Sequence, residues 1–296
     1  TDTQIDTQVG QKLAELVSEK SGGNITIDVF PNDTLAGGNA TKGIEYVCAG
    51  STDLAAYATS TLSAIDPLLN IATMPWTFDS YEQAAGVIAT TGGEYYADEL
   101  DDKGLSYLGA FHNGFRQLTN SKHAVTKPDD LKGLKIRTQD SPTSIAMIRA
   151  MGGSATPMSS GETYTGLQQG IIDGAENNET VLVQDGHGEV CKSYTYTQHQ
   201  MVPDIVIIST ETWESLDEAE QSAIVNGMTQ GNEAHEAVWQ DLVQENIDGA
   251  KEMGVQFYTI DKTAFIEATQ SLRDEFCAKS ADNARYYEDF LSYVQA

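Results

Sequence analysis

Helical and strand-like patterns of apolar residues alternate along the first part of the chain. Apolar residues recur at helical spacing over 9–20, which predicts a first helix. Positions over 25–30 alternate between apolar and polar side chains, and 53–57 and 105–111 are short apolar runs, so three strands are expected there. A helix is predicted over 81–101. Strands that alternate with helices in this way are typical of an α/β fold with a largely parallel sheet.

The same rhythm starts again after residue 113. The predicted strands and helices of this second part are 117–120, 131–137, 141–151, 154–158, 160–169, 171–177 and 203–209. A further helical pattern over 210–254 contains no proline, and a helix of that length, at about 1.5 Å per residue, exceeds one compact domain. The chain is therefore predicted to form two α/β lobes that share crossover strands. Each lobe is expected to have a mostly parallel sheet flanked by helices, with the long helix bridging both.

The charge of the chain restricts its partners. It has 44 acidic against 17 basic residues and a formal net charge of −27. Such an excess repels nucleic acid and anionic membrane surfaces, so neither is expected as a partner. It also repels anionic ligands, so an anion site requires cations that are placed locally. No apolar run reaches the roughly 18 residues of a membrane span, and the opening TDTQIDTQVGQ has no signal-peptide pattern, so a mature or truncated form is expected.

Cysteines and histidines do not indicate a disulfide framework or a metal site. The three cysteines, Cys48, Cys191 and Cys277, are widely spaced and odd in number. The five histidines lack the HxxxH and HExxH spacings of metal sites. The G-x-S-x-G, Walker A and G-x-G-x-x-G motifs are also missing from the sequence, so no metal and no cofactor is expected.

One pair of segments places polar side chains at predicted strand ends. The segment LKGLKIR (131–137) is predicted to be a strand that ends on Arg137. Ser159 and Glu162 fit a capping box that starts a helix. After this helix, Asp173-Gly174 predicts a tight turn, so Asn177 is expected in a loop directly after a short strand. Ligands gather beyond the carboxyl ends of strands in α/β sheets, so Arg137 and Asn177 are expected to face one cleft.

Arg137 has two interpretations on the pattern alone. A charge at a strand end is often simply solvated. A planar guanidinium also donates two parallel hydrogen bonds to a carboxylate, which lysine cannot do, and an acidic protein that binds an anion needs such a fixed cation. The arginines in helical patterns, Arg149, Arg273 and Arg285, are predicted to be surface charges.

Four segments together resemble a known family. They are HNGFRQLTN (112–120), DDLKGLKIRTQ (129–139), TPMSSGETYTGLQQGIIDGAEN (156–177) and SLDEAEQSAI (215–224). In this order and spacing they are similar to the solute-binding subunit of tripartite ATP-independent periplasmic (TRAP) transporters. That family includes the C4-dicarboxylate-binding DctP proteins. The resemblance runs over nearly the whole chain.

The resemblance implies a two-lobed, periplasmic-binding-protein-like fold that closes on a small organic acid. By this analogy lobe one comprises 1–113 and 202–241, lobe two comprises 114–201 and 242–296, and the ligand cleft lies between them. The resemblance further implies a monomeric, non-enzymatic protein outside the cytoplasm, periplasmic or extracellular, either free or anchored as a lipoprotein. Its implied partners are a small-molecule carboxylate and the membrane subunits of a TRAP transporter.

Individual site residues follow from the same resemblance. The arginine matching Arg137 pairs with the ligand carboxylate, Arg116 adds a second cationic contact, and Asn177 holds the carboxylate or its arginine. Ser160 stands where some members place an aromatic ring, and Asn178 replaces a frequent proline. The remaining predicted cleft residues are Ser160, Gln139, Asp140, Asp204 and Tyr57. For Asp204 and Tyr57, packing at a strand end is the alternative interpretation.

The sequence favours a sugar acid of the uronate type, such as glucuronate or galacturonate, as the ligand. Asp140 and Asp204 are suited to accept hydrogen bonds from hydroxyl groups, and they would repel a second carboxylate. A C4-dicarboxylate or another monocarboxylate is an alternative within the same family. A lyase or isomerase acting on an organic acid, and an adhesive surface protein without a small ligand, are alternatives of other classes.

Overall fold

The computed structural model of the chain describes residues 5–81, 83–84 and 93–294. Its helices are α1 (Ile5–Lys20), α2 (Ala40–Cys48), α3 (Thr59–Leu62), α4 (Gly93–Asp101), α5 (Pro142–Ala150), α6 (Ser160–Gln168), α7 (His187–Val190), α8 (Thr210–Ser215), α9 (Glu218–Glu252), α10 (Thr263–Ala278) and α11 (Ala281–Val294). Its strands are β1 (Leu54–Ala58), β2 (Leu105–Asn120), β3 (Lys135–Thr138), β4 (Ser154–Pro157), β5 (Gly174–Asn177), β6 (Ser193–Ser209) and β7 (Gln256–Thr259). In the described part of the chain, no helix combines the length and apolarity that crossing a membrane requires.

Two long strands carry the sheet from one lobe to the other. The strand order is β1-β6-β2-β5-β3-β4, with β7 beside β6. Strands β2 and β6 are antiparallel neighbours of 16 and 17 residues, and β1 lies antiparallel against one end of β6. The parallel pairings are β3 with β4, β3 with β5 and β6 with β7. The predicted parallel content therefore belongs to the second lobe.

The hydrophobic core is divided between the lobes and between the two faces of the sheet. Ile207 and Ile208 enter separate clusters on opposite sides of β6, because successive side chains of a strand alternate in direction. Lobe two buries Ile136 and Met147 in a cluster of its own. Burial on both faces explains why 203–209 is an unbroken apolar run and not an alternating one.

The long helix α9 connects the two lobes, as predicted. It begins with a capping box, in which the Asp217 carboxylate accepts from the Glu220 amide and the Glu220 carboxylate accepts from the Asp217 amide. Its 35 residues extend about 52 Å at about 1.5 Å per residue. Met228 packs in a lobe-one cluster and Ala250 in a lobe-two cluster, so the helix braces both. The predicted single helix over 210–254 is interrupted between α8 and α9.

Two of the predicted elements near the N-terminal end differ from the structure. Residues 25–30 form neither a helix nor a strand, so this prediction was wrong. Alternation of apolar and polar positions shows that a segment suits a sheet, but a strand also needs a hydrogen-bonded neighbour, and none is found among the described residues. The predicted helix over 81–101 corresponds in part to α4, while residues 82 and 85–92 lie outside the described residues.

Helix α10 spans from lobe two back to lobe one. Phe265 near its start packs in a lobe-two cluster, and Phe276 near its end packs in a lobe-one cluster together with side chains of α11. Arg273 lies between them, and its Nη2 donates to the carbonyl oxygens of Pro75 and Trp76, both at 2.7 Å. The surface-charge prediction for Arg273 was therefore wrong, because a helical pattern does not reveal which face is covered. The lobe boundaries inferred from the resemblance stay a prediction.

Candidate functional site

All eight residues predicted for the site line a single cleft. The cleft has a volume of about 980 Å³. Part of this volume extends along residues 25–30, beside apolar side chains of α1 and β6, so the polar part around the arginines is smaller than the whole. The predicted residues on its wall are Tyr57, Arg116, Arg137, Gln139, Asp140, Ser160, Asn177 and Asp204.

Arg137 is a buried cation that forms no ion pair with a carboxylate among the described residues. It lies on β3, between β4 and β5, and is 6% exposed. Its Nε donates to the carbonyl oxygen of Met158 at 2.9 Å, which fixes the guanidinium and leaves the two Nη groups for the cleft. Within the described residues no acidic side chain forms an ion pair with it. Burial lowers the pKa of Arg137 to about 10, so the group still carries its positive charge at neutral pH.

The start of helix α6 fixes the carbonyl group that holds Arg137. Ser159 and Glu162 form the predicted capping box, and Met158 directly precedes it. Ser160 is the first residue of α6 and lies on the cleft wall. The amides at a helix N-terminus favour negative charge, so the helix start and the guanidinium both suit an anion in the same region.

Arg116 is as buried as Arg137 but is held by a carboxylate. Its Nε and Nη2 donate to the Glu176 carboxylate, and Nη2 also donates to the Glu176 carbonyl oxygen at 2.7 Å. Burial would raise the pKa of Glu176, but Arg116 and then His199 outweigh it and lower the pKa to about 2. Burial lowers the pKa of His199, which favours the neutral imidazole. Only Nη1 of Arg116 is left to serve the predicted second contact with a ligand.

Asn177 ends β5 and lies on the cleft wall. Its Oδ1 accepts from the Asn178 amide at 2.9 Å, and its carbonyl oxygen accepts from the Tyr194 hydroxyl at 3.1 Å. These bonds orient the side chain and leave Nδ2 as a donor. Asn178 has a structural role: its Oδ1 accepts from the Thr180 amide at 2.9 Å, and its Nδ2 donates to the Asn113 carbonyl oxygen at 2.6 Å. The end of β5 is thereby tied to β2.

The lobe-one wall of the cleft carries acceptor groups. Asp204 is 6% exposed, and its carboxylate accepts a hydrogen bond from Asn113 Nδ2. Tyr57 is paired in register with Ile205, the neighbour of Asp204, so its side chain starts on the opposite face of the sheet. Its hydroxyl donates to Asp33 Oδ1 at 2.6 Å, and burial, together with Asp33, raises the pKa of Tyr57. The Tyr57 proton is therefore committed to Asp33.

The residues after β3 reach the cleft from lobe two. Gln139 is half-buried, and its Oε1 accepts from the Ser60 hydroxyl of α3 at 2.8 Å. Asp140 is exposed at the rim. Gln139 thus has a contact with lobe one, whereas Asp140 is accessible to water.

Several polar residues of the cleft wall were not predicted as site residues from the sequence. Among them are Asn113, Gln184 and Asp185. Asp185 lies close enough to Arg137 to favour the charged guanidinium. The segment HNGFR contained a usable signal for Asn113, because Asn113 precedes Arg116 on the same strand. Gln184 and Asp185 follow a short 3-10 turn and belong to no motif, so only the tertiary structure reveals them.

One group of side chains has the composition of a metal site. Ligand atoms of His112, His235 and Glu236 lie within 4.8 Å of one another. His112 Nδ1 accepts from the Gly114 amide at 3.1 Å, so the proton of the neutral ring is on Nε2, which faces Glu236 at 2.7 Å. A histidine that binds a metal through Nε2 donates its Nδ1–H to an acceptor. Nδ1 of His112 instead faces a donor, the Gly114 amide. The group is therefore assigned to hydrogen bonding and not to metal binding.

Comparison with protein families decides the class of this protein. Residues 1–280 match the DctP family, described as bacterial extracellular solute-binding protein, family 7. The chain belongs to this family. Its members are extracytoplasmic binding proteins of transporters and not enzymes, so the predicted family is confirmed. The lyase, isomerase and adhesin alternatives are set aside.

Two solved structures and one further relative are similar to this solute-binding protein over most of its length. A TRAP periplasmic solute-binding protein from Chromohalobacter salexigens with bound D-glucuronate has a TM-score of 0.94 at 31% identity, covering 99% of this chain and 97% of that one. One from Anaerococcus prevotii with bound D-glucuronate has a TM-score of 0.93 at 32% identity, covering 100% and 96%. The 2,3-diketo-L-gulonate-binding periplasmic protein YiaO of Escherichia coli is 34% identical over 93% of this chain and 84% of its own length. The predicted two-lobed α/β fold is thereby confirmed.

Proposed function

We propose that this protein captures a uronate-type sugar acid, such as glucuronate or galacturonate, and delivers it to the membrane subunits of a TRAP transporter. The observation that carries the proposal is Arg137, a buried guanidinium on the cleft wall with no ion pair to a described acidic side chain. A ligand carboxylate supplies the missing negative charge and accepts two parallel hydrogen bonds from the Nη groups. An acidic protein can bind an anion in this way because the cation is fixed at one place.

The other residues of the cleft divide into carboxylate donors and hydroxyl acceptors. Asn177 Nδ2 and Arg116 Nη1 donate to the same ligand carboxylate. Ser160 and Asp140 reach the hydroxyl groups of the ligand that lie next to this carboxylate. Asp204 accepts from hydroxyl groups on the lobe-one side. These aspartates repel a second carboxylate, so the cleft favours sugar acids with one carboxylate over C4-dicarboxylates. D-glucuronate, bound in the two similar structures, and 2,3-diketo-L-gulonate, for which the Escherichia coli relative is named, each have one carboxylate and several oxygen substituents.

The protein acts outside the cytoplasm as a monomer, in the periplasm or at the cell surface, free or held by a lipid anchor. The cleft residues described above all come from one chain, so a second copy is not needed to complete the site. Its remaining partners are the transporter subunits that receive the ligand.

Titration calorimetry with matched ligands tests this proposal. D-glucuronate and D-galacturonate are compared with D-glucuronamide, which keeps the ring and hydroxyl groups but lacks the charge. The uronates are expected to bind, and the amide is expected to lose roughly 2–5 kcal/mol because the buried charge loses its partner. Equal affinity for glucuronate and glucuronamide would contradict the role of Arg137.

The same titration separates the ligand classes. Succinate and malate represent the C4-dicarboxylate alternative and are expected to bind more weakly than the uronates. Strong binding of either acid without uronate binding would replace the proposed ligand. NMR of the recovered ligand is expected to show unchanged uronate.

A further inference from the structure

Small polar side chains join the two walls of the cleft beside the ligand region. On the lobe-one side they are Ser60 in α3 and Asn70 in the 3-10 turn Pro67–Thr73. On the lobe-two side they are Gln139 and Thr143, which follow β3 and begin α5. The flanking apolar residues of each pair pack in the core of their own lobe. The two pairs therefore add polar contacts between the lobes, which α9 and α10 also connect through apolar packing.

The contacts between these side chains are direct hydrogen bonds. The Ser60 hydroxyl donates to Gln139 Oε1 at 2.8 Å, and Asn70 Nδ2 donates to Thr143 Oγ1. Asn70 is held in place because its Oδ1 accepts from the Thr73 hydroxyl. Ser60 is 0% exposed and Asn70 is 4% exposed, so water does not compete for these bonds while the walls are together.

Movement of one lobe against the other would break these bonds. The lobes are joined through β2 and β6, and the β2–β6 register shifts between His112 and Phe115 and between Arg116 and Leu118. Such irregularities in crossing strands are places where a rotation can be absorbed. Bonds between the walls stabilise only the closed arrangement, and a ligand that binds the closed form gains affinity when that form is more populated.

We propose that the Ser60–Gln139 and Asn70–Thr143 hydrogen bonds form a latch that holds the cleft closed and slows ligand release. Gln139 connects the latch to the ligand, because its Oε1 is bound by Ser60 while the residue also lines the cleft. Gln139 is therefore a positioning residue. When its Nε2 donates to an acceptor on the ligand, its Oε1 is held in place to accept from the Ser60 hydroxyl. This proposal rests on the proposed function for the identity of the ligand.

Conservative variants separate the latch from ordinary packing. Ser60→Ala and Thr143→Val each remove one hydroxyl of the latch, and neither residue lines the cleft. The matched controls are Ser63→Ala and Thr163→Val. Ser63 donates to the Ser60 carbonyl oxygen of its own segment, and Thr163 donates to the Ser159 carbonyl oxygen at the start of α6. All four hydroxyls are in buried or half-buried residues, so the controls remove comparable groups within one lobe.

The measurement is the dissociation rate of D-glucuronate in stopped-flow fluorescence. Each latch variant is expected to release the ligand about three- to tenfold faster, the effect of one lost neutral hydrogen bond. The double variant is expected to be faster still, and the controls are expected to stay within about twofold of the original protein. Equal rates in the latch variants and the original protein, or equal acceleration in the controls, would overturn the proposal.

The latch can be tested separately from the identity of the ligand. If the original protein binds no uronate, the proposed function fails, and the test becomes small-angle scattering of the ligand-free protein. In that case the latch predicts a larger radius of gyration in the double latch variant than in the double control. An equal radius in the two proteins would overturn it.

Discussion

The two arginines of the cleft are equally buried but have different partners. Each is 6% exposed. Arg116 is bound by the carboxylate and the carbonyl group of Glu176, whereas the described partner of Arg137 is the Met158 carbonyl group. A buried charge that loses its partner costs several kcal/mol, so Arg116 is committed to the folded structure. Arg137 is the place that we propose for the ligand carboxylate.

This difference cannot be inferred from residue type or from burial. Both side chains are guanidinium groups on the wall of the same cleft, and the position of Glu176 distinguishes them. The Arg116–Glu176 ion pair is balanced in itself. Arg137 shares the cleft wall with the carboxylates of Asp185 and Asp204 and forms an ion pair with neither of them.

Replacing Arg116 tests the structural half of the comparison and is expected to have the largest effect. Arg116→Ala leaves the Glu176 carboxylate buried without its cation, so the free energy of unfolding is expected to fall by about 3–5 kcal/mol. Urea denaturation followed by circular dichroism measures this loss. Adding Glu176→Gln to the same variant is expected to restore part of the stability. A loss no greater than in Arg137→Ala would remove the distinction between the two arginines.

Replacing Arg137 tests the other part of the comparison, the proposed role of this arginine in ligand binding. Arg137→Ala is expected to cost about 2–5 kcal/mol of binding free energy for the uronate, with an unfolding free energy close to the original. Arg137→Lys is also expected to lose much of the affinity, because an ammonium group cannot form the parallel pair of bonds. Calorimetry measures both variants, with the exposed Arg149→Ala as the control. Unchanged affinity in both variants would refute the assignment.

Glu179 extends the comparison to a buried acid that forms no ion pair with a described basic side chain. It is 4% exposed, and burial raises its pKa to about 7 from the ordinary value of 4.5. The protonated acid is favoured in the folded state, so stability is expected to fall as the pH rises from about 4.5 through 7. Glu179→Gln is therefore expected to raise the unfolding free energy by about 2–3 kcal/mol at pH 8, with little change near pH 4. A stabilisation that is independent of pH would contradict this explanation.

The capping box of α6 gives the smallest expected effect. Ser159→Ala removes the side-chain acceptor at the helix start and is expected to lower the unfolding free energy by about 1 kcal/mol. Uronate affinity is expected to fall less than in Arg137→Ala, because the carbonyl group of Met158 is moved and not removed. Urea denaturation and calorimetry on one variant measure both effects. A larger effect on binding than Arg137→Ala would mean that the helix start, and not the guanidinium, dominates recognition.

The order of elements could be predicted because each pattern is local. The strand end at Arg137 was found from the pattern, and the family resemblance connected it with Asn177. Asn177 was expected in a loop after a strand but is the last residue of β5. The full length of β2 and β6 was not predicted, since the register shifts near residues 112–118 interrupt the apolar pattern. Residues 25–30 have the pattern of a strand without a described partner, which only the tertiary structure can show.

The partners of the site residues were beyond the sequence. Glu176 is far from Arg116 in the chain, as is Ser60 from Gln139, and no spacing rule connects them. Tyr57 was expected on the wall and is there, but its hydroxyl is used by Asp33. The sequence therefore predicts which side chains reach the cleft better than it predicts which of them are still available to a ligand.

The passage of β2 and β6 through both halves limits how such a protein can change its ligand. Each strand contributes side chains to the interior of either half, so a half cannot be grafted from a relative without cutting both strands in the middle of their ladders. New specificity is more readily acquired by single substitutions along the inner walls, with the shared strands left intact.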